Sequence, residues 1–346
     1  MKRIIILLIA VLVYASCTNN GIRDIVYYEK SFAEAKQISQ NLQLPFCMVL
    51  YDSLQNTTLE YLDKFHANKL PLNKGVFNFV NITADKNKWY NKLLSPQTFP
   101  VTCIFSPSGE LLDLIPGNSK ESVLYTDKVL TTHEPTPEFH YNKKYGTEKM
   151  VAITQINQIL KLKFEVDDKR NVVAEIDSLI TKVRYPYPLF LKLQNQLQFN
   201  DSVGAIETAR ELLLFDSAKD LFDYYDELMF ANHVIDLDYT TKTAPLIEVN
   251  PAVIELKDCK INEPKSLTVH ITNKGEKPLK ISEILTSCSC VKLISSKRHM
   301  INPNQFLTIT LEFTPDVSGD ILREVYIASN SVNSPISIVT INASAN

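Results

Sequence analysis

The spacing of apolar and polar positions changes twice along the chain and divides it into three regions. From 24 to 130, helix-like and strand-like spacings alternate. Phe32 to Leu42 carries apolar residues at helical intervals, and Pro45 to Tyr51 is an apolar run of buried-strand length. Thr57-Thr58-Leu59-Glu60 has the capping-box pattern and predicts a helix through Phe65. Val76 to Ile82 predicts a second strand, Lys86 to Leu94 another helix, and Val101 to Phe105 a third strand. Ser106-Pro107-Ser108-Gly109 is a turn signal, with a fourth strand from Glu110 to Ile115 behind it.

From 146 to 240 the period is helical throughout. Val172, Ile176, Leu179 and Val183 share one face, as do Ile206, Ala209 and Leu213, and then Leu221, Tyr224, Tyr225 and Leu228. Asp201-Ser202 and Ser217-Ala218-Lys219-Asp220 mark helix starts. No 34-residue period is present, so a helical bundle is expected rather than a repeat array. From 246 to 346, about seven strand-like runs recur every 8–12 residues, with turns at Asn273-Lys274-Gly275 and Asp316-Val317-Ser318-Gly319. This spacing predicts a β-sandwich. The fold class is therefore multidomain, α/β plus all-β. Thr131–Pro137 and Lys242–Pro245 are read as linkers between the regions.

Composition narrows the function classes. The formal charge of −3 offers no basis for nucleic-acid binding. Eight glycines and no phosphate-loop motif remove nucleotide chemistry from view. No G-x-S-x-G elbow, H-E-x-x-H motif or paired catalytic carboxylates can be picked out, and His66, His133, His140 and His233 are scattered. No cofactor is implied. The first residues run Met1-Lys2-Arg3, then apolar from Ile4 to Val13, then Tyr14-Ala15-Ser16-Cys17. Two cations and about ten apolar residues make a signal peptide over residues 1–16, too short to span a bilayer. Ala15-Ser16-Cys17 resembles the bacterial lipobox, although Tyr14 replaces its usual leucine. That resemblance implies that Cys17 is lipidated and that the membrane is one partner. The residues just after it lack the acidic surface-export pattern, so the outer membrane facing the periplasm is the expected location.

Residues 24–130 also resemble the thioredoxin fold, through Leu44-Pro45 before the central strand, the helix after it, and Thr98-Phe99-Pro100-Val101-Thr102. The resemblance implies a cis proline at Pro100 and a Cys-x-x-Cys at Gln55-Asn56-Thr57-Thr58. Neither Gln55 nor Thr58 carries sulfur, so a redox-inactive domain is expected. Residues 246–346 resemble a bacterial family of Hydin-like, immunoglobulin-type domains of unknown function. The matching residues are Ile271 to Ile281, Thr286-Ser287-Cys288-Ser289-Cys290, Ile301 to Gln305 and Ser318-Gly319-Asp320. Cys259 and Asn304 depart from that family's usual glycines. Together the resemblances imply a lipoprotein of the Bacteroidota type that serves as a binding or scaffolding module for a protein partner.

Five cysteines besides Cys17 leave alternatives open. Cys47 and Cys103 fall in neighbouring strands, as a reactive or disulfide pair or as two buried thiols. Cys288 and Cys290, two apart, would share one face of a strand. They could hold a soft metal with Cys259, form a disulfide with it, or stay free. An envelope thiol-disulfide or soft-metal protein is thus the rival reading. Tyr185-Pro186-Tyr187-Pro188-Leu189-Phe190 is either a recognition patch or, as its apolar content favours, a joint between helices.

Overall fold

The computed structural model describes residues 25–53, 57–68, 70, 74–96, 98–136, 148–295 and 299–346. The signal peptide, Cys17, Gln55 and Asn56 lie outside them. Among the described residues, those from 25 to 84 and from 98 to 136 form one compact unit. Those from 85 to 96 and from 148 to 346 form another.

The first unit is built on a mixed sheet. Its strands are β1 (Ile25–Tyr28), β2 (Phe46–Tyr51), β3 (Val76–Asn81), β4 (Val101–Phe105) and β5 (Leu111–Pro116), in the order β1-β3-β2-β4-β5. β1 and β2 run parallel to β3, while β4 is antiparallel to β2 and to β5. The helices are α1 (Phe32–Leu42), α2 (Thr57–Ala67) and α4 (Lys120–Thr132). Both sheet faces are covered, which is why β2 reads as an unbroken apolar run and β3 as one interrupted only by the buried Asn78 before its last residue. On one face Tyr61 and Phe65 from α2 and Val123 and Val129 from α4 pack on Val49, Phe77, Phe79 and Ile104. On the other, Phe32 meets Phe46 and Phe105 edge-on.

Local signals explain the boundaries. Ser31 and Glu34 form a reciprocal capping box at the start of α1. The box expected at Thr57–Glu60 is not made: the helix already includes Thr57, and the hydroxyls of Thr57 and Thr58 are buried without a hydrogen-bond partner. The turn at Ser106–Gly109 closes with Gly109 N–H donating to Ser106, Gly109 having a φ of 90°. Thr131 and Thr132, expected in a linker, end α4 instead.

The second unit begins with α3 (Lys88–Leu94) and continues with α5 (Lys149–Asp167), α6 (Val173–Ile180), α7 (Pro186–Gln198), α8 (Ser202–Leu212), α9 (Ala218–Asp223) and α10 (Tyr225–Ile235). α3 lies inside the first sequence region yet is built into the helical layer. The Tyr185 hydroxyl donates to the Leu93 carbonyl at 2.9 Å and that of Tyr224 to the Lys92 carbonyl at 3.0 Å. The Lys92 ammonium meets the Glu227 carboxylate at 2.5 Å, both side chains being 9% exposed. Asp201 and Ser217 cap α8 and α9 as their positions predict. The α8 face is rotated by one residue from expectation: Ala205, Thr208, Ala209 and Leu212 are buried, and Ile206 and Leu213 only half-buried.

The same unit ends in two packed β-sheets. The strands are β6 (Ile247–Asn250), β7 (Val253–Cys259), β8 (Lys265–Asn273), β9 (Leu279–Thr286), β10 (Val291–Leu293), β11 (His299–Ile301), β12 (Phe306–Phe313), β13 (Gly319–Ser329) and β14 (Ile336–Ala345). One sheet has the order β10-β12-β8-β6, the other β11-β9-β13-β14-β7. Alternate residues face inward, Val269, Ile271, Ile309 and Leu311 from the first meeting Ile281, Val325, Ile327 and Ile341 from the second. Helices dock on this sandwich through Lys280 and Asp216 at 2.7 Å, Tyr225 donating to the Val332 carbonyl at 2.8 Å, and the Lys277–Asp236 ion pair. Gly275 is buried where the chain passes residues 244–246.

Candidate functional site

A thiol site of the kind the sequence resemblance implies would lie at the start of α2 and the approach to β4. Thr58 stands in the first turn of α2, and Pro100 precedes β4 with a cis Phe99–Pro100 peptide bond. One turn on from Thr57–Thr58, the hydroxyl of Tyr61 lies 2.6 Å from that of Thr102, two residues beyond Pro100. The buried Thr126 hydroxyl is 3.4 Å from the same tyrosine. This hydroxyl network is a structural contact between α2, β4 and α4. Burial pushes the Tyr61 phenol above its usual range, its hydrogen bonds to Thr102 and Thr126 acting the other way.

Cys47 and Cys103 are not a pair. Cys47 is opposite Ile104 and Cys103 opposite Met48, a register offset of one residue. Cross-strand partners share a face and successive residues alternate, so the two sulfurs project from opposite faces of the sheet. Both are fully buried, and burial raises both thiol pKa values, with the charges of Cys47 and Asp113 adding to the rise at Cys103. A neutral thiol is a poor nucleophile. In the folded chain at pH 8, neither should react with iodoacetamide, and both should label once urea unfolds the unit. Peptide mapping by mass spectrometry checks this, and labelling before unfolding would contradict it. The sign of the pH effect follows. Folded thiols stay protonated where unfolded ones ionise, so their contribution to stability is complete below about pH 8.5 and is lost as pH rises beyond it.

In the sandwich, Cys288 and Cys290 are bonded to each other, with their Cα atoms 5.3 Å apart. They lie in the turn between β9 and β10, not along a strand as their spacing had suggested. Cys259 is a free, buried thiol in the same core cluster as Cys290, so the disulfide considered for it is not formed. Arg323 donates from Nε to the Cys290 sulfur at 3.1 Å. Among the described residues no cluster of three or more His, Cys, Asp or Glu could hold a metal ion. His270 instead meets the Thr308 hydroxyl at 3.0 Å.

The helical layer carries a cleft of about 390 Å³ that sequence spacing did not disclose. Trp89, Tyr187 and Phe190 supply its apolar wall, and Lys88, Lys163, Asp167 and Asp226 its charges. The Lys163 ammonium stands 4.6 Å from the centre of the Trp89 ring. Tyr185 and Tyr187 are buried at 2% and 4%, so most of the aromatic run is a helix joint, although Tyr187 and the half-exposed Phe190 also line the cleft. The signal was there in residue type: Trp89 is the sole tryptophan, and it stands on α3.

Residues 247–344 match the family described as "Protein of unknown function (DUF1573)". No curated protein matches the chain. Among solved structures, a protein of unknown function from Porphyromonas gingivalis is 16% identical with a TM-score of 0.27, over 32% of this chain and 50% of that one. The chain thus spans half the length of that protein. The PapD-like domain 7 of human CEP192 is 10% identical with a TM-score of 0.26, over 30% of this chain and 87% of that one. The Escherichia coli chaperone DraB is 10% identical with a TM-score of 0.23, over 28% and 53%. No helix among the described residues is long and apolar enough to cross a membrane.

Proposed function

We propose that this chain is a lipid-anchored envelope protein of the Bacteroidota type that works by binding or scaffolding a protein partner, not by catalysis. In this reading Cys17 carries the lipid on the periplasmic face of the outer membrane. The first unit is a thioredoxin-like domain without its thiols, and the C-terminal sandwich is an immunoglobulin-type domain. The parallel β1-β3-β2 half of the sheet, its antiparallel β4-β5 half and the cis Phe99–Pro100 bond support the first assignment. The cleft beside Trp89, with an apolar wall and charges of both signs, suits a polar peptide segment.

The observation that carries the reading is the chemistry at the head of α2. In this reading the first thiol of a thioredoxin-like site would fall at Gln55 and the second at Thr58, and neither side chain carries sulfur. The thiols of that sheet, Cys47 and Cys103, are buried on opposite faces. Thiol–disulfide exchange needs an accessible thiolate, and this unit offers none there.

The test uses the full chain with both Cys288 and Cys290 changed to serine, so that only the first unit is questioned. It should not accelerate insulin reduction by dithiothreitol above the uncatalysed rate. Turnover that disappears with Cys47→Ala or Cys103→Ala would refute the reading. The anchor is tested separately: Cys17→Ser should abolish palmitate labelling and move the protein out of the membrane fraction.

A further inference from the structure

We infer that the Cys288–Cys290 disulfide is a thiol-exchange site whose two sulfurs have unequal roles, with Cys288 the sulfur attacked and Cys290 the leaving group. The inference goes beyond the binding role and concerns a different domain.

Three features carry it. The first is the size of the ring. A bridge between residues two apart closes a loop of three residues, and so short a loop removes little entropy from the unfolded chain. Nine strands, two packed sheets and a continuous core already hold the sandwich together. The bridge is therefore a weak candidate for a stabilising device.

The second is asymmetry of access. Cys288 is half-buried and stands between exposed Ser287 and exposed Ser289, whereas Cys290 is only 7% exposed. An incoming thiolate reaches Cys288 more readily.

The third is the guanidinium. Arg323 Nε donates to the Cys290 sulfur at 3.1 Å, and the same group is pinned by Asp316 at 3.2 Å and by the Leu322 carbonyl at 2.9 Å. A fixed cation beside the Cys290 sulfur favours negative charge on that sulfur. Exchange rates rise with the stability of the leaving thiolate.

A thiolate of a dithiol reductant attacks Sγ of Cys288. A sulfur–sulfur bond forms between reductant and Cys288 as the Cys288–Cys290 bond breaks. The bonding pair leaves with Cys290, whose thiolate Arg323 holds. The second thiol of the reductant, after losing its proton to water, attacks its own sulfur in the mixed disulfide. It leaves oxidised, and Cys288 departs as a thiolate that takes up a proton. The chain gains two electrons and the dithiol loses two.

The turn is built to survive reduction. Ser287 N–H donates to the Glu324 carbonyl at 2.9 Å, Glu324 N–H to the Ser287 hydroxyl at 2.9 Å, and Thr314 N–H to the Cys290 carbonyl at 2.8 Å. These bonds do not involve sulfur, so they keep the two thiols adjacent and ready to re-form the bond.

The full chain, purified without reductant, is exposed to limiting glutathione at pH 7, quenched with acid and mapped by mass spectrometry. The glutathione adduct should sit on Cys288. In a parallel measurement with dithiothreitol, Arg323→Gln should slow reduction by about ten-fold or more, the value of a charge-assisted hydrogen bond, while Arg323→Lys retains most of the rate. Asp316→Asn controls for loss of the neighbouring ion pair. An adduct on Cys290, or an Arg323→Gln rate within two-fold of the parent chain, overturns the proposal. So does a parent chain in which both thiols are found free. If Arg323→Gln does not fold, the adduct position and the Arg323→Lys rate decide. Thermal unfolding of the oxidised and reduced chains should be nearly the same, and a large loss on reduction would return the bond to a structural role.

Discussion

Replacing Lys92 with methionine should cost the second unit roughly 3–5 kcal/mol of stability. The ammonium meets Glu227 at 2.5 Å with both side chains 9% exposed, so the change strands a carboxylate in a site that water hardly reaches. Asp226 lies 3.8 Å from the same ammonium but is 64% exposed, and solvent compensates its loss. The cost should fall on the unpaired Glu227 rather than on the absent attraction. The double variant Lys92→Met with Glu227→Met should therefore recover most of what the single one loses. Urea unfolding followed through Trp89 fluorescence reads this directly, because the chain has one tryptophan and it stands three residues from Lys92. A single variant within about 1 kcal/mol of the parent would place the pair among the weak surface bridges instead.

Gly275→Ala is expected to be of similar severity, for a steric reason. A Cβ there would lie 2.2 Å from the Ala244 carbonyl oxygen, 2.5 Å from the Leu246 nitrogen and 2.7 Å from the Pro245 Cα. All three are main-chain atoms, so no side chain can turn aside. Relief requires moving residues 244–246 away from a segment to which they are bonded by Lys274 N–H donating to the Leu246 carbonyl at 2.8 Å. Overpacking that shifts backbone should cost about 3 kcal/mol or more, or about 6–12 °C in midpoint for a unit of this size. Gly319→Ala is the comparison. Its φ is 93° but nothing lies within 4 Å of the added carbon, so only the conformational penalty of about 1–2 kcal/mol applies. Thermal unfolding by circular dichroism separates the two. Equal shifts would show that close approach is not the reason for glycine at 275.

Much of this architecture could be read from residue spacing. Val101–Phe105 has the bounds its apolar pattern implies, because the strand is buried along its whole length and a turn follows it. Elements too short to show a period escaped: β1, β6 and β11 have four, four and three residues. α4 escaped for another reason. Its inward face includes Ser122 and Thr126, whose hydroxyls bond the Pro116 and Ser122 carbonyls, so polarity masks a buried stripe. At the cysteines, residue type pointed to the right neighbourhood and spacing misled. The pattern Cys-x-Cys implies one strand face only if the segment is extended, and the chain turns there. Arg323, 33 residues beyond Cys290, was invisible because nothing local links a guanidinium on β13 to a turn before β10.

The placement of α3 has a consequence for how the protein is made. A ribosome delivers Lys92 135 residues before Glu227, and Leu93 92 residues before Tyr185. Until those partners emerge, α3 can only be a short helix with its lysine in solvent, while β3 and β4, on either side of it in sequence, each already have β2 to pair with. Biosynthesis of the two units is thus interleaved rather than sequential, and no single cut in the chain yields both of them whole.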